Sequence, residues 1–317
     1  MSTSLSRELF LTFDVEDFIN ANSTKALNNI LRILKEHGLT GLFFITGHMA
    51  EKLANQKDTI SLLQDQRIGF HSSSHSVRPT ILEYTDMADY ATAHLESLRR
   101  ERSHINPLTG EIEGNGGIDV VRELFPDNFV NAFRAPDYCW SPPHLQALRD
   151  LGIEYDFSTR LFPKPTFFKG VTFYPFPICH NWTGRSCYTS LLKTLPRRKT
   201  IVMNFHDWNF VNECPWNRVY MNKNPDHLVV TSSRNQKEIT RLFSTFEFFI
   251  KKISTLEKAN LIEVTPKLKV PCSSPAIDEA SVLEHCKYLT AWYEANYHYR
   301  VRFLCEHARK FFTETFF

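Results

Sequence analysis

The sequence contains no run of about 18 apolar residues, so no stretch of it is expected to cross a bilayer as a helix. It opens "MSTSLSRELFLTFD", a short polar start that leads straight into an apolar strand. The basic start and long apolar stretch of a secretory signal are missing. Neither sign of charge dominates. The formal net charge is +2, which argues against a nucleic-acid partner, and there is no acidic run. The seven cysteines, Cys139, Cys179, Cys187, Cys214, Cys272, Cys286 and Cys305, are scattered and odd in number, with no CxxC. That pattern excludes a cysteine zinc site and argues against a disulfide framework. It predicts a reduced, cytoplasmic chain. Internal repeats and low-complexity segments are also lacking.

What is present is enough for a large core. The 317 residues suit one large α/β domain or two small ones, 42% are apolar, and 26 are Phe. "ELFLTFD" reads as a strand ending at Asp14. The next segment carries Leu27, Ile30, Leu31 and Leu34 at helical spacing, with Gly38 as a stop. "TGLFFITG" is a second strand, a helix covers about 49–65, and "RIGF" is a third strand. A helix near 86–104, a glycine-rich loop "NPLTGEIEGNGG", a strand "NAFRAP", a helix in "SPPHLQALRDLG", a strand "IVMNFHDW", a long helix in "EITRLFSTFEFFIKKI" and a last strand in "ANLIEVTP" follow. Near-continuous apolar strands alternating with helices indicate a parallel sheet, and about seven such units suggest a β/α barrel. From about residue 271 the strand signal stops. Residues 271–317 read as an aromatic-rich helical extension that packs on the barrel or on a partner, after a first domain of residues 1–270.

The chemistry-bearing residues recur at the C-terminal ends of strands, where parallel β/α folds place their sites. Asp14, Glu16 and Asp17 follow the first strand in "TFDVEDF". Three crowded carboxylates repel unless something positive sits among them. His71 and His75 follow the third strand in "HSSSH". Two imidazoles with a neighbouring carboxylate form a catalytic metal arrangement. Arg134, in "FRAPDY", can grip a carboxylate with two hydrogen bonds. His206 ends the apolar strand "NFHDW", as a buried structural histidine or a proton donor.

These four motifs, in this order, resemble the polysaccharide deacetylases of the NodB-homology type, carbohydrate esterase family 4, over roughly residues 8–266. The resemblance implies a distorted (β/α)7 barrel, here with a C-terminal helical extension. It implies Asp14 as general base, His71 and His75 as ligands of one divalent metal, Arg134 as the residue orienting Asp14, and His206 as general acid. The metal is zinc by analogy, with Co2+, Ni2+ or Mn2+ as alternatives. Asp156 in "EYDFST" falls where the family has an aspartate supporting that histidine. Two departures stand out. Val15 occupies the place of the family's metal-binding second Asp, so the third ligand is Glu16 or Asp17. Residues 14 and 16 share a face of an extended chain, which favours Glu16. Asp137 stands where the family's Tyr lends a backbone N–H to the oxyanion, with Tyr138 displaced by one.

The implied activity is removal of an acetyl group from an N-acetylated sugar. Its setting would be a cytosolic precursor in surface polysaccharide or O-antigen biosynthesis. Trp140, Trp182, Trp208 and Trp216 are candidates for the rim that meets sugar rings. Two other readings are another C–N amide hydrolase on the same scaffold, similar to the allantoinases, and a non-catalytic barrel that binds glycan or scaffolds a complex. The C-terminal helix could also support an oligomer.

Overall fold

The structure, a computed structural model, describes residues 7–179, 185–274 and 277–313. Trp182 lies outside them. Seven parallel strands form the main sheet: β1 (Arg7–Val15), β2 (Leu42–Ile45), β3 (Arg67–Phe70), β4 (Ala132–Phe133), β5 (Tyr155–Asp156), β6 (Val171–Phe173) and β7 (Thr200–His206). Their order is β7-β1-β2-β3-β4-β5-β6. The seam is narrowed by the segment after β6, where the Ile178 N–H donates to the Val202 carbonyl and the Asn204 N–H to the Cys179 carbonyl. This is the distorted (β/α)7 barrel. An eighth short strand, Ile262–Val264, pairs with the start of β1.

Side-chain parity divides each strand between two cores. On β1, Leu9, Leu11, Phe13 and Val15 belong to the outer core beneath the helices, whereas Phe10 belongs to the inner one. Phe44, Phe157, Tyr174 and Val202 share that inner cluster. In the outer layer Phe13 stacks on Phe43 at 4.5 Å and on Phe205 at 5.3 Å. The covering helices follow from apolar spacing. Helix α1 (Ala21–Glu36) buries Ala26, Leu27, Ile30, Leu31 and Leu34, and Gly38 ends it at φ 68. Helix α2 (Gln236–Lys258) buries Phe246, Phe249, Ile250 and Ile253.

Several local expectations are corrected. The helix expected over about 49–65 is two, Gly47–Leu53 and Lys57–Gln64, with Gln56 outside helical φ/ψ between them. "NAFRAP" contributes only Ala132–Phe133 to the sheet. The glycine-rich loop carries a hairpin strand, Ile112–Asn115, paired with Ser103–Ile105. Strand β5 and the hairpin Thr166–Phe168/Val171–Phe173 add to the strands expected from the sequence. The hairpin turns at Lys169–Gly170 with φ of 48 and 82, the positive pair that a tight two-residue turn requires. Cys179 and Cys187 form a disulfide, against the expectation that no cysteines pair. Their Cα atoms stand 5.9 Å apart, within the reach of an S–S bridge, because the segment beside β7 and the helix Arg185–Thr194 are packed together. The other five cysteines are free. No helix among the described residues is long and apolar enough to cross a membrane.

The C-terminal extension folds as α3 (Glu279–Tyr297) and α4 (Leu304–Thr313) and packs on its own barrel. Asp86 accepts hydrogen bonds from the backbone N–H groups of Arg302 and Phe303. The Thr80 and Tyr293 hydroxyls meet at 2.6 Å.

Gly117 sits at φ 60, where a Cβ would stand 2.2 Å from Ser73 Oγ and 2.3 Å from the Glu101 carbonyl oxygen. Gly117→Ala is expected to destabilise the chain by about 1–3 kcal/mol through this overlap. Urea unfolding of both proteins checks it; an unchanged midpoint would mean that the loop carrying Ser73 yields freely.

Candidate active site

The inner face of β1 carries Thr12 and Asp14, and the opposed inner positions of β7 carry Asn204 and His206. The register pairs Asp14 with His206. One carboxylate is thereby held from three directions in a buried setting. Arg134 Nη1 donates to Asp14 Oδ1 at 2.7 Å, Asn204 Nδ2 donates to Oδ2 at 2.6 Å, and His206 Nε2 stands 3.3 Å from Oδ2. Arg134 is fully buried. Its second nitrogen donates to Thr12 Oγ1 at 2.8 Å, and its guanidinium lies 4.4 Å from the Phe44 ring centre. Burial alone would raise the Asp14 pKa. The charges of Arg134 and His71 and the contact with His206 overcome it and hold the carboxyl well below its usual range. Burial would push His206 down, but the hydrogen bond to Asp14 and the charge of Glu16 raise it.

Beside this pair lies a second cluster. Ligand atoms of Glu16, His71 and His75 all fall within 4.8 Å of one another. Glu16 Oε2 is 3.0 Å from His71 Nε2 and 2.8 Å from His75 Nε2. Its other oxygen, Oε1, accepts the indole N–H of Trp208 at 3.0 Å and of Trp216 at 2.9 Å. His71 Nδ1 is 2.7 Å from the Arg134 carbonyl, which places a proton on Nδ1 and turns Nε2 toward Glu16. His75 Nδ1 is bonded to Ser76 Oγ at 2.6 Å. The donor set is two imidazoles and one carboxylate, each oriented by a further hydrogen bond, and it fits a divalent metal of the zinc type.

The loop that presents the histidines is over-determined. Ser72 and His75 take φ of 64 and 49, unfavourable for residues with a Cβ. The conformation is held by the Ser73 N–H to Glu101, the His75 N–H to Ser72 Oγ, and the N–H groups of Gly47 and His48 to the Ser72 and Ser73 carbonyls. Such stored strain clusters at functional sites.

Not every candidate joins this centre. Asp17 turns away and accepts from the Asn20 N–H at 2.9 Å and from Ser23 Oγ at the start of α1. Parity is the reason, since residues 14 and 16 share a side and 17 does not. Asp156 does not support His206. Its register partner is Phe133, on the outer side of the sheet, and it accepts from the Ser158 N–H and Oγ. Among the described residues His206 Nδ1 has no partner. Trp140 is buried against Phe173 and His285 and does not line the pocket. Trp216 is fully buried and holds Glu16 rather than a rim. Trp208, Asp137 and Tyr138 do line the pocket. Asp137 and Tyr138 adopt φ of 51 and 60. The Tyr138 hydroxyl accepts from Asn204, and the Tyr297 hydroxyl donates to Asp137 Oδ2.

The pocket above these groups has a volume of about 420 Å³. Sequence reasoning missed Asn204, Thr12, Arg160, Arg218 and the wall that α3 supplies through His285, Tyr288, Leu289 and Trp292. Asn204 and Thr12 were detectable as polar residues two positions before His206 and Asp14 in otherwise apolar strands.

Residues 2–155, just under half of the chain, match the family described as polysaccharide deacetylase. Among solved structures, it is similar to a 4-alpha-glucanotransferase from Thermococcus litoralis, with 12% identity, a TM-score of 0.50, and coverage of 92% of this chain and 45% of that one. A family 4 carbohydrate esterase from Streptococcus mutans matches with 14% identity, a TM-score of 0.45, and coverage of 82% and 85%. A pseudoenzyme of the same esterase family from Bacillus anthracis matches with 13% identity, a TM-score of 0.40, and coverage of 82% and 63%, so the chain spans less than two thirds of that protein's length. No curated protein matches in sequence.

Arg134→Met would leave the Asp14 carboxylate buried without its cation. The expected loss is about 3–5 kcal/mol, read by chemical denaturation; a loss below about 1 kcal/mol would show that the pair is not what keeps Asp14 buried. A second expectation concerns pH. Burial pushes Asp156 up to about 7, against the opposing bonds from Ser158 and the charge of Arg134. A carboxyl raised in the folded state contributes stability that is fully present below its unfolded pKa of about 3.9 and is lost as pH rises through about 7. Asp156→Asn should therefore gain on the wild type steadily from pH 4 to pH 8. A pH-independent difference in unfolding free energy would contradict it.

Proposed function

We propose that the chain is a hydrolytic deacetylase that removes the acetyl group from an N-acetylated sugar with the help of one divalent metal. The observation that carries this reading is the adjacency of two chemically distinct sets. Asp14 with Arg134 and His206 offers a base and an acid, and Glu16 with His71 and His75 offers a metal site, all lining one pocket.

Glu16, His71 and His75 would hold the metal, zinc being the ion that suits the donor set. When bound, such an ion polarises the acyl carbonyl and lowers the pKa of water toward 7. The remaining chemistry belongs to the chain. Asp14, kept ionised by Arg134, takes the proton of the attacking water at Oδ2. Arg134 and Asn204 hold the carboxylate so that this oxygen faces the pocket side occupied by His206. The backbone N–H of Asp137, on the pocket wall, is the candidate donor to the developing oxyanion, where one such donor is worth about 3–4 kcal/mol. His206, its proton favoured by Asp14 and Glu16, protonates the departing nitrogen. Water adds to the carbonyl carbon, the C–N bond breaks, and acetate and a free amine leave.

The pocket volume lies in the range of roughly 300–1,000 Å³ typical of small-molecule sites, which supports a short carbohydrate. The finer reading is a precursor of surface polysaccharide or O-antigen, handled in the cytoplasm. The disulfide between Cys179 and Cys187 removes the support that scattered cysteines lent to that compartment.

Acetate release from N-acetylated sugars, with and without chelator, tests the proposal. Chelator should abolish release, His71→Ala should lose both metal and release, and Asp14→Asn should lower kcat by about 10²–10⁴-fold with metal retained. Chelator-insensitive release would favour a metal-free amide hydrolase on this scaffold. Metal binding without turnover on any N-acetylated substrate would favour a glycan-binding barrel.

A further inference from the structure

The pocket mouth carries two cations to which acetyl removal assigns no task. Arg160 and Arg218 are exposed and line the same pocket as Asp14, Glu16 and His206. Among the described residues neither guanidinium makes a hydrogen bond or an ion pair. Arg160 is nonetheless held in place. Its guanidinium carbon lies 4.1 Å from the Phe176 ring centre and 5.8 Å from that of Tyr288. Stacking on a ring leaves the in-plane N–H donors of the fork unspent.

The other charges around the pocket are already satisfied. Asp14 faces Arg134, Glu16 faces two histidines, and Asp137 accepts from the Tyr297 hydroxyl. His285, on the same wall, is pushed down to about 4 by burial and by the charge of Arg160, so it is neutral at pH 7. The unpaired charge at the mouth, that of Arg160 and Arg218, is positive. A neutral N-acetylated sugar offers nothing with which it could pair. Guanidinium forks match an oxyanion through parallel hydrogen bonds, and two of them match a dianion better than a monoanion. Tyr288, Leu289 and Trp292 line the same mouth from α3 and offer an apolar and aromatic wall for a sugar ring.

We propose that the substrate is an N-acetylated sugar bearing an oxyanion, a phosphate above all, which Arg160 and Arg218 bind at the mouth while the acetyl group reaches Asp14 and His206. This rests on the deacetylase reading and narrows its substrate class. The extension that the sequence set apart as an appendage thereby helps to select the substrate, because Tyr288 is one of the two rings that hold Arg160.

The test compares acetate release from N-acetylglucosamine, N-acetylglucosamine 1-phosphate and the carboxylate-bearing N-acetylmuramic acid, on the metal-loaded full chain. The expected result is a kcat/KM at least 10-fold higher for the phosphate than for the neutral sugar, carried by KM rather than kcat, with the carboxylate between them. Arg160→Gln and Arg218→Gln should each shrink that preference, and together bring it to within about 2-fold. Equal kcat/KM for phosphate and neutral sugar overturns the inference while leaving the deacetylase reading intact. A higher kcat/KM for the carboxylate than for the phosphate overturns the choice of phosphate. Release from none of the three sinks the deacetylase reading, and the inference is then judged by calorimetric binding of N-acetylglucosamine 1-phosphate. Binding that the double glutamine variant weakens at least 10-fold supports the oxyanion site; absent or unweakened binding overturns it.

Discussion

A carboxylate can sit on the inner face of this barrel only because Arg134 reaches it from the end of β4. The two are 120 residues apart in the chain and meet at 2.7 Å with almost no solvent around them. Without the guanidinium, Asp14 would be a buried, unpaired charge, which proteins avoid by neutralising the group. With it, Asp14 stays ionised in a dry site. Asn204 and Thr12 then become necessary, since they satisfy the remaining donors of Arg134 and the second carboxylate oxygen. The backbone carbonyl of the same arginine fixes the His71 ring, so one residue orients Asp14 and a member of the candidate metal site together.

Glu16 occupies a comparable position in the second cluster. Two indole N–H groups hold one of its oxygens and leave the other for the histidines. Trp208 and Trp216 thus serve the site through their polar edges, although their size first marks them as sugar platforms. Tyr288 and Trp292 on α3 add to the aromatic lining that Trp208 and Tyr138 give the pocket. The C-terminal extension completes the pocket, and its Tyr297 reaches both Asp137 and Ser76, the latter the hydrogen-bond partner of His75.

Much of this was legible in the sequence. Apolar strands broken by helical spacing gave the parallel barrel. Period-two parity from Asp14 favoured Glu16 but left Asp17 open, and the structure brings Glu16, His71 and His75 together while Asp17 accepts hydrogen bonds from Asn20 and Ser23. What failed did so for physical reasons. Asp156 was placed by motif position alone, whereas strand parity puts it on the outer face with Phe133. Strand β5 is two residues long, too short to leave a pattern. The Lys169–Gly170 turn between two short aromatic runs does carry a readable hairpin signal. Trp140 and Trp216 could not be separated from Trp208 by sequence, because Trp140 is buried against His285 of α3 and Trp216 against Phe18 and His75, all distant in the chain. The pairing of Cys179 with Cys187 depends on tertiary packing that spacing does not encode.

The central claim is that Glu16, and not Asp17, completes a metal site with His71 and His75. Metal content and zinc affinity of the purified chain test it most directly, with Glu16→Gln and Asp17→Asn measured in parallel after both are shown to be folded. The account predicts about one zinc per chain in the wild type and in Asp17→Asn, and loss of the metal in Glu16→Gln. Retention of zinc in Glu16→Gln, with loss in Asp17→Asn, would contradict it.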